Sequence, residues 1–387
     1  MRRWALIGVL APAVALAQKP PEETREGAIL FGRFGSIYQQ SATLIEPARE
    51  IVELPDDAAE IRWMEAIRDG RLVVVTMVER PIWLFAPDPT KPARVMSNGA
   101  CVSAARPNPW GGCLVCQGPD GPMLVAAGRI DQAPLPGPLL DAAFRGPSGL
   151  EMLARAPEGV IGFDRTKPAE RRVLARNEAT SHLLAAPDGT KAVALFGEGD
   201  AARIRTFLLD GTGVSRQLGG PGIPTLWSWD SAWVLFQEGD ISGFNREDDE
   251  GGDPGLGELD AESRFLFAAP AKSKNKKKST KKPPPAKPAS PPIRACVARA
   301  AGGEVKCWDH YTGVAFSPDS REVLLKRDRS LYIGRIAGVR PEPPRKVIDD
   351  VDGAATWVPN PIAVPLPNPT PPPAPASQPV QPVPYPQ

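Results

Sequence analysis

Apolar residues along this chain occur in short bursts separated by glycine, proline and aspartate, without the 3.6-residue period of an amphipathic helix. The clearest bursts are LVVVTMV (72–78), AVALFG (192–197) and WVLFQ (233–237). Short apolar runs bounded by turn residues are typical of β-strands. The 47 prolines and 36 glycines exceed average usage and indicate many turns. The pattern therefore predicts an all-β protein.

A cassette consisting of a tight turn and a buried strand recurs along the chain. It reads APDGTKAVALFG (186–197), FSPDSREVLLK (316–326) and, in a weaker form, WSWDSAWVLFQ (227–237). Aspartate and glycine supply the backbone angles that close such a hairpin turn. The residues predicted to form these turns are Pro187, Asp188, Gly189, Trp229, Asp230, Pro318, Asp319 and Ser320.

The spacing of the cassettes predicts a repeat of near-constant length. With weaker copies included, the proline-equivalent positions are 68, 109, 147, 187, 229, 318 and 359, with spacings of 41, 38, 40, 42, 89 and 41. Removing the compositionally foreign segment 247–292 shortens the spacing of 89 to 43. Repeats of this length are typical of the four-stranded blades of a propeller.

The two ends of the repeat region supply the pieces of one further blade. Residues 354–358 (AATWV) form a predicted strand that no further blade follows, whereas predicted strands at 28–34, 36–46 and 48–54 precede the first complete repeat. Placing them in one blade would leave no unpaired sheet edge between the ends. We therefore predict a β-propeller over 28–358 with seven blades, or six as the alternative, closed by its N- and C-terminal strands.

The PDG and SPDS cassettes resemble the repeats of TolB-like and WD-repeat-like β-propellers of bacterial envelopes. The match is strongest from Thr225 to Lys326, which includes CVARAAGGEVKCW (296–308) and YTGVAFSPDS (311–320), and as an architecture it extends from about Asp56 to Pro359. The resemblance implies the fold and carries no catalytic residues. TolB itself adds an α/β domain before its propeller, for which we expect no room here, so its particular partners are not implied.

The N-terminal residues predict export. Two arginines precede the uncharged apolar stretch WALIGVLAPAVALA (4–17), which ends on small residues suited to cleavage before Gln18. As a helix, these fourteen residues would cover roughly 21 Å, which is too short to cross a bilayer. We therefore predict a signal peptide at 1–17, a linker at 18–27 and a periplasmic or extracellular protein that is not transmembrane.

Two segments have compositions that cannot bury a core, so we predict disorder for both. The first, 247–292, joins an acidic half to a lysine-rich half, and the second, 359–387, holds thirteen prolines in 29 residues and should sample polyproline II. The lysines suggest either a solvated loop or a contact with cell-wall polymers or an anionic surface. Nucleic acid is not expected, because no aromatic residues interleave these lysines for base stacking. The lysines are Lys272, Lys274, Lys276, Lys277, Lys278, Lys281, Lys282 and Lys287.

Five cysteines in an exported chain are expected to oxidise in part. Cys296 and Cys307 flank a predicted hairpin whose turn lies at Ala301-Gly302, which places the two cysteines opposite each other and predicts a disulfide. Cys101 is predicted to join Cys113 or Cys116, which leaves one cysteine unpaired. The spacing Cys113-x-x-Cys116 lacks the further ligands of a zinc site.

No motif for a nucleophile, a nucleotide or a metal is found, and His182 and His310 are interpreted as structural residues. We therefore predict no catalytic residues and no cofactor. The leading hypothesis is a non-enzymatic scaffold that binds envelope proteins, for example in a transport or motility assembly. The alternatives are a propeller lyase or hydrolase with a site at the channel mouth, and a cell-wall or anionic-surface binder that uses the lysine-rich segment.

Overall fold

A computed structural model describes residues 25–53, 61–66, 72–76, 82–86, 93–96, 106–107, 113–118, 121–126, 132–135, 137–146, 150–176, 180–197, 201–212, 214–239, 293–337 and 342–359. This part of the chain consists of β-strands and their connections, without an α-helix. The all-β prediction is therefore confirmed. The predicted signal peptide, the segment 247–292 and nearly all of the proline-rich tail lie outside the described residues.

The described strands form seven four-stranded antiparallel sheets, numbered here in chain order. Sheet 1 contains β1 (Ala28–Arg33), β2 (Ser36–Ser41), β3 (Arg49–Glu53) and β28 (Ala355–Val358). Sheet 2 contains β4 (Ile61–Ala66), β5 (Leu72–Thr76), β6 (Ile82–Ala86) and β7 (Ala93–Met96). Sheet 3 contains β8 (Arg106–Pro107), β9 (Cys113–Gly118), β10 (Gly121–Ala126) and β11 (Gln132–Pro134).

The remaining four sheets follow the same order along the chain. Sheet 4 contains β12 (Asp141–Arg145), β13 (Glu151–Ala156), β14 (Gly159–Asp164) and β15 (Arg171–Arg176). Sheet 5 contains β16 (Thr180–Ala185), β17 (Lys191–Phe196), β18 (Arg203–Leu208) and β19 (Ser215–Gly219). Sheet 6 contains β20 (Gly222–Trp227), β21 (Trp233–Glu238), β22 (Arg294–Arg299) and β23 (Val305–Asp309). Sheet 7 contains β24 (Thr312–Phe316), β25 (Glu322–Arg327), β26 (Ser330–Arg335) and β27 (Arg345–Ile348).

The apolar core lies between successive sheets. Leu153 of sheet 4 packs in one cluster with Leu183 of sheet 5, and Leu235 of sheet 6 packs in another with Leu325 of sheet 7. One edge strand of each of six sheets contacts the edge strand of the next, in the order β12, β16, β20, β24, β28 and β4. We call these the first strands and count the others across each sheet from them, so that β28 is the first strand of sheet 1 and β1 the second. Sheets 4 to 7 therefore bury strands against their neighbours, as expected for a repeat that is too small to form a core alone.

Sheet 1 contains strands from both ends of the described chain. The last strand, β28, pairs with β1 from Ala28↔Val358 to Phe31↔Ala355. Trp357 of β28 is 1% exposed, and its indole Nε1 donates a hydrogen bond to the carbonyl oxygen of Glu26 at 3.2 Å. The strand order predicted for this sheet, one C-terminal strand beside three N-terminal strands, is the one observed.

Successive strands run in opposite directions, so their connections alternate between two faces of the molecule. We call one of them the turn face: it carries the turns between first and second strands, at 186–190, 228–232 and 317–321. The other, the opposite face, carries the turns between second and third strands, at 34–35, 157–158 and 328–329. A six-residue strand separates the two faces by about 20 Å. The chain ends near Gly27 and Pro359 lie at the turn face, and the connection from β21 to β22 leaves from the opposite face.

Candidate functional site at the turn face

Three hairpin turns of the turn face share one backbone geometry. In the turn from Ala186 to Lys191, the Ala186 N–H donates to the carbonyl of Lys191 and the Gly189 N–H donates to the carbonyl of Ala186, each at 2.9 Å. The turns that start at Ser228 and Ser317 repeat both hydrogen bonds, at 2.8 to 3.0 Å. The repeat read from the sequence is thus a repeat of local structure.

The aspartate at the third position of each turn holds the loop in shape. Asp188 Oδ1 accepts from the backbone N–H and the hydroxyl of Thr190, at 2.9 and 2.8 Å. Asp230 Oδ1 accepts from the Ala232 N–H and the Ser228 hydroxyl, and Asp319 Oδ1 accepts from the Arg321 N–H and the Ser317 hydroxyl. Aspartate beside serine or threonine suits this position because short side chains bond the nearby backbone.

The fourth position of each turn joins one sheet to the next. The residues there, Gly189, Ser231 and Ser320, have φ values of 71°, 59° and 60°. The Ser231 hydroxyl accepts a hydrogen bond from the Asp188 N–H at 3.0 Å, and the Ser320 hydroxyl accepts one from the Asp230 N–H at 3.3 Å. Since each bond crosses between sheets, the turns of sheets 5, 6 and 7 form one continuous surface.

Sheet 4 joins the same surface through a close backbone approach. A Cβ atom placed on Gly189 would lie 2.9 Å from the Cα atom of Gly146, so glycine is required at this contact. Arg145 Nε donates to the carbonyl oxygen of Gly189 at 2.9 Å. Sheets 4 to 7 therefore share one set of interlocked turns.

A largely buried ion pair links the start of the described chain to sheet 7. Arg25 donates two hydrogen bonds to the Glu322 carboxylate, at 2.6 and 2.8 Å, and the two side chains are 16% and 10% exposed. Glu322 occupies the sixth position of its turn cassette. The bidentate geometry fixes the N-terminal segment beside the turn of the neighbouring sheet.

The locked turns present polar side chains at fixed places. Asp188, Asp230 and Asp319 are exposed, Arg321 is exposed, and the indole of Trp229 is half-buried. Such a set offers acceptors, a cation and an aromatic surface on a backbone that needs little reordering on binding. Preorganised mixed surfaces of this kind are suited to protein recognition.

The structure places all eight predicted turn residues in these three neighbouring turns. The weaker turn copies at 68, 109 and 147 lie outside the described residues. Sequence reasoning missed Ser231, Arg145, Arg25 and Glu322. Ser231 shares its cassette position with Ser320 and could have been found from that match, whereas Arg25 and Glu322 are separated by 297 residues and give no local signal.

The predicted disulfide between Cys296 and Cys307 is present, away from the inter-sheet turns. These residues lie opposite each other on β22 and β23, with Cα atoms 4.1 Å apart. Cys116 is also disulfide-bonded, and its partner lies outside the described residues. Cys101, the side chain of Cys113 and all eight lysines predicted to contact a polyanion lie outside the described residues, so these predictions stand untested.

The two histidines occupy different places near the opposite face. His182 lies in β16 beside a register irregularity, and His310 joins β23 to β24; both have positive φ values, 54° and 66°. Asp141 also lies at this end, where its Oδ2 accepts a hydrogen bond from the Leu183 N–H at 3.1 Å. Burial lowers the pKa of Arg155 on the paired strand, while the nearby Asp141 carboxylate acts to raise it.

No helix among the described residues is long and apolar enough to cross a bilayer. The whole chain matches no protein-family model and no curated protein sequence.

Several solved structures are similar to the chain. One is TolB from Acinetobacter baumannii, at 11% identity and a TM-score of 0.41, covering 86% of this chain and 66% of that one. Another is hydrazine synthase from Kuenenia stuttgartiensis, at 11% identity and a TM-score of 0.45, covering 74% and 79%. The β-propeller domain of Cps50 (Swd1) from Myceliophteria thermophila has 12% identity and a TM-score of 0.46, covering 78% and 91%. The fold is defined by the strand pairing and the contacts between sheets described above.

Proposed function

We propose that the chain is an exported, non-enzymatic β-propeller of seven blades that binds envelope proteins through its turn face. The observation that carries this proposal is the chain of inter-sheet contacts from Arg145 to Ser320, which assembles turns from four sheets into one surface. A surface preformed in this way loses little conformational entropy when a partner binds.

The proposal of a closed ring rests on two features. The first strands of sheets 4, 5, 6, 7, 1 and 2 contact one another in turn, and β28 pairs with β1 so that sheet 1 joins the chain ends. Seven four-stranded sheets in this order match the architecture of a seven-bladed propeller. Ring closure leaves only short outer strands as sheet edges.

The proposal of export rests on the cysteines together with the N-terminal sequence. Cys296 and Cys307 form a disulfide, and Cys116 is disulfide-bonded as well. Such bonds persist in oxidising compartments and are rare in a reducing cytosol. The charged and apolar pattern of residues 1–17 supplies the matching export signal.

Site-specific photo-cross-linking in the producing cells tests the turn face. A photoreactive residue is placed at Thr190 or Arg321 on the turn face and, as matched controls, at Glu158 or Asp328 on the opposite face; all four positions are exposed. We expect discrete protein adducts from Thr190 and Arg321 and none of the same size from the controls. Equal adducts from both faces, or none from the turn face, would contradict the proposal.

A further inference from the structure

A groove lies at the turn face between sheets 5 and 6. Its apolar lining includes Leu208, Val214 and Ala301, which come from both sheets, and Phe207, which is 2% exposed. Val214 is 51% exposed and Leu208 is 36% exposed, although most valine and leucine side chains in the described sheets are buried. The groove therefore exposes apolar side chains of two sheets on the turn face.

The walls of the groove are held in place across the two sheets. Thr206 Oγ1 donates to the carbonyl oxygen of Ala300 at 3.0 Å, and Arg216 Nη1 donates to the carbonyl oxygen of Ala301 at 2.7 Å. Lys191, at the rim, donates through Nζ to the carbonyl oxygen of Ser231 at 3.1 Å. The groove thus has a fixed apolar lining, and its two cations, Lys191 and Arg216, are hydrogen-bonded to backbone carbonyls of its own walls.

The chain itself contains a segment with matching chemistry. Residues 360–387 hold twelve prolines in 28 residues and have no charged side chain. A polyproline II segment exposes apolar rings together with backbone carbonyls that have no internal hydrogen-bond partner. Exposed apolar side chains can bind such a segment at low entropic cost because the segment is already extended.

The tail begins on the face that carries the groove. Pro359 follows β28 at the turn face of sheet 1, and the contacting first strands lead from sheet 1 through sheets 7 and 6 to sheet 5. Three sheet-to-sheet steps at about 10 Å each amount to roughly 30 Å near the axis, and more at the rim. Twenty-eight residues in polyproline II conformation reach about 87 Å, which is sufficient.

We propose that the groove between sheets 5 and 6 is a polyproline-binding site and that its occupant is the chain's own segment 360–387. Docking would place the tail across the turn face as an intramolecular strap. This inference adds a ligand class to the turn face and does not depend on the identity of any protein partner. Because the tail is tethered, its effective concentration at the groove is in the millimolar range, so even weak intrinsic affinity suffices.

The test uses the full mature chain, residues 18–387, with a photoreactive residue at Val214. The matched control carries it at Val173, which is 38% exposed on β15 of sheet 4. Illuminated protein is digested, and cross-linked peptides are identified by mass spectrometry. We expect cross-links from position 214 to residues 360–387, at least fivefold more abundant than from position 173. An excess of synthetic peptide 360–387 should reduce them.

Mixing isotopically light and heavy protein before illumination separates two occupants. Cross-links that join only light with light and heavy with heavy support the tail of the same chain. Mixed cross-links would show that the tail of a second copy enters the groove, which overturns the proposal, as would equal labelling from positions 214 and 173 or no labelling of the tail. Tail docking is measured by cross-links to peptides of residues 360–387, whereas partner binding is measured by adducts of Thr190 and Arg321 with other proteins, so failure of one is distinguishable from failure of the other.

Discussion

Two junctions between neighbouring sheets, one on each face of the molecule, are held by different chemistry. On the turn face, the links at Ser231 and Ser320 are hydrogen bonds between neutral groups, and these side chains are 2% and 4% exposed. On the opposite face, sheets 7 and 1 are joined by exposed charges, including Arg329 with Asp352 at 2.8 Å and Arg33 with the Asp350 carbonyl at 2.9 Å. Buried neutral bonds are insensitive to salt, whereas exposed ion pairs are screened.

This difference indicates which face keeps its shape under changing conditions. The junctions of sheets 5, 6 and 7 on the turn face depend on short side chains that bond the backbone within and between hairpins. The junction of sheets 7 and 1 on the opposite face depends on long charged side chains that lose rotamer freedom when they pair, although Gln237 joins sheets 6 and 7 on that face through neutral hydrogen bonds. We infer that the serine-linked junctions keep their shape in salt and that the exposed charges between sheets 7 and 1 add little to stability.

The largest effect is expected at the strand that joins the chain ends. Trp357→Ala removes a side chain that is 1% exposed and a hydrogen bond to Glu26, so the free energy of unfolding should fall by about 3–5 kcal/mol. Val173→Ala on the exposed surface should change it by less than about 0.5 kcal/mol. Urea titration followed by tryptophan fluorescence and circular dichroism measures both. A loss below about 1 kcal/mol for Trp357→Ala would show that Trp357 does not hold β28 in sheet 1.

The next effect contrasts one ion pair on each face. Glu322→Gln removes the anionic partner of the largely buried Arg25 and should cost about 2–3 kcal/mol of unfolding free energy. Asp352→Asn on the opposite face should cost no more than about 1 kcal/mol, and that cost should shrink in 1 M salt because Arg329 is exposed. Equal costs for the two substitutions would remove the distinction between the faces.

A smaller effect separates backbone strain from sheet contact within the turn face. Gly189 and Gly303 both have positive φ, 71° and 99°, but only Gly189 has a neighbouring backbone, that of Gly146, where a Cβ atom would lie. Gly189→Ala should therefore destabilise the protein by at least about 1 kcal/mol more than Gly303→Ala, which carries the strain alone. Thermal unfolding of the two variants provides the comparison. If both lose equal stability, the Gly146 contact does not join the sheets.

The smallest effect concerns a carboxylate of the opposite face. Two hydrogen bonds lower the pKa of Asp349 below its usual value: the larger effect comes from the Lys346 ammonium and the smaller from the Ser330 hydroxyl. A carboxyl whose folded pKa is lowered contributes stability above its unfolded pKa, near 3.9, and loses it as pH falls through the folded pKa. In an NMR titration, Lys346→Ala should move the pKa of Asp349 back up. An unmoved pKa would show that the pair does not form in solution.

The strands and turns of the described repeats could be predicted because their signals are local. APDGT and SPDS each contain the aspartate that bonds the backbone two residues on, and the apolar burst that follows each turn is the buried second strand. Cys296 and Cys307 were also predictable, since a single hairpin places them opposite each other. In each case the interacting residues lie within one repeat.

The candidate site was less predictable because its contacts cross between repeats. Nothing in the sequence around Ser231 shows that its hydroxyl meets the Asp188 N–H of the preceding sheet. The groove is likewise formed by Val214 of one sheet and Ala301 of the next, and neither residue is unusual in its own hairpin. These contacts depend on how neighbouring sheets pack against each other, which local patterns do not encode.

Hydrogen–deuterium exchange of sheet 1 tests whether the two chain ends complete one blade of a closed ring. Peptides covering β28 (Ala355–Val358) and β1 (Ala28–Arg33) are compared with the buried second strand β25 (Glu322–Arg327). We expect the protected amides of all three strands to exchange only through global unfolding, with the same opening free energy. Exchange of β28 at the rate of a frayed terminus, with β25 still protected, would contradict it.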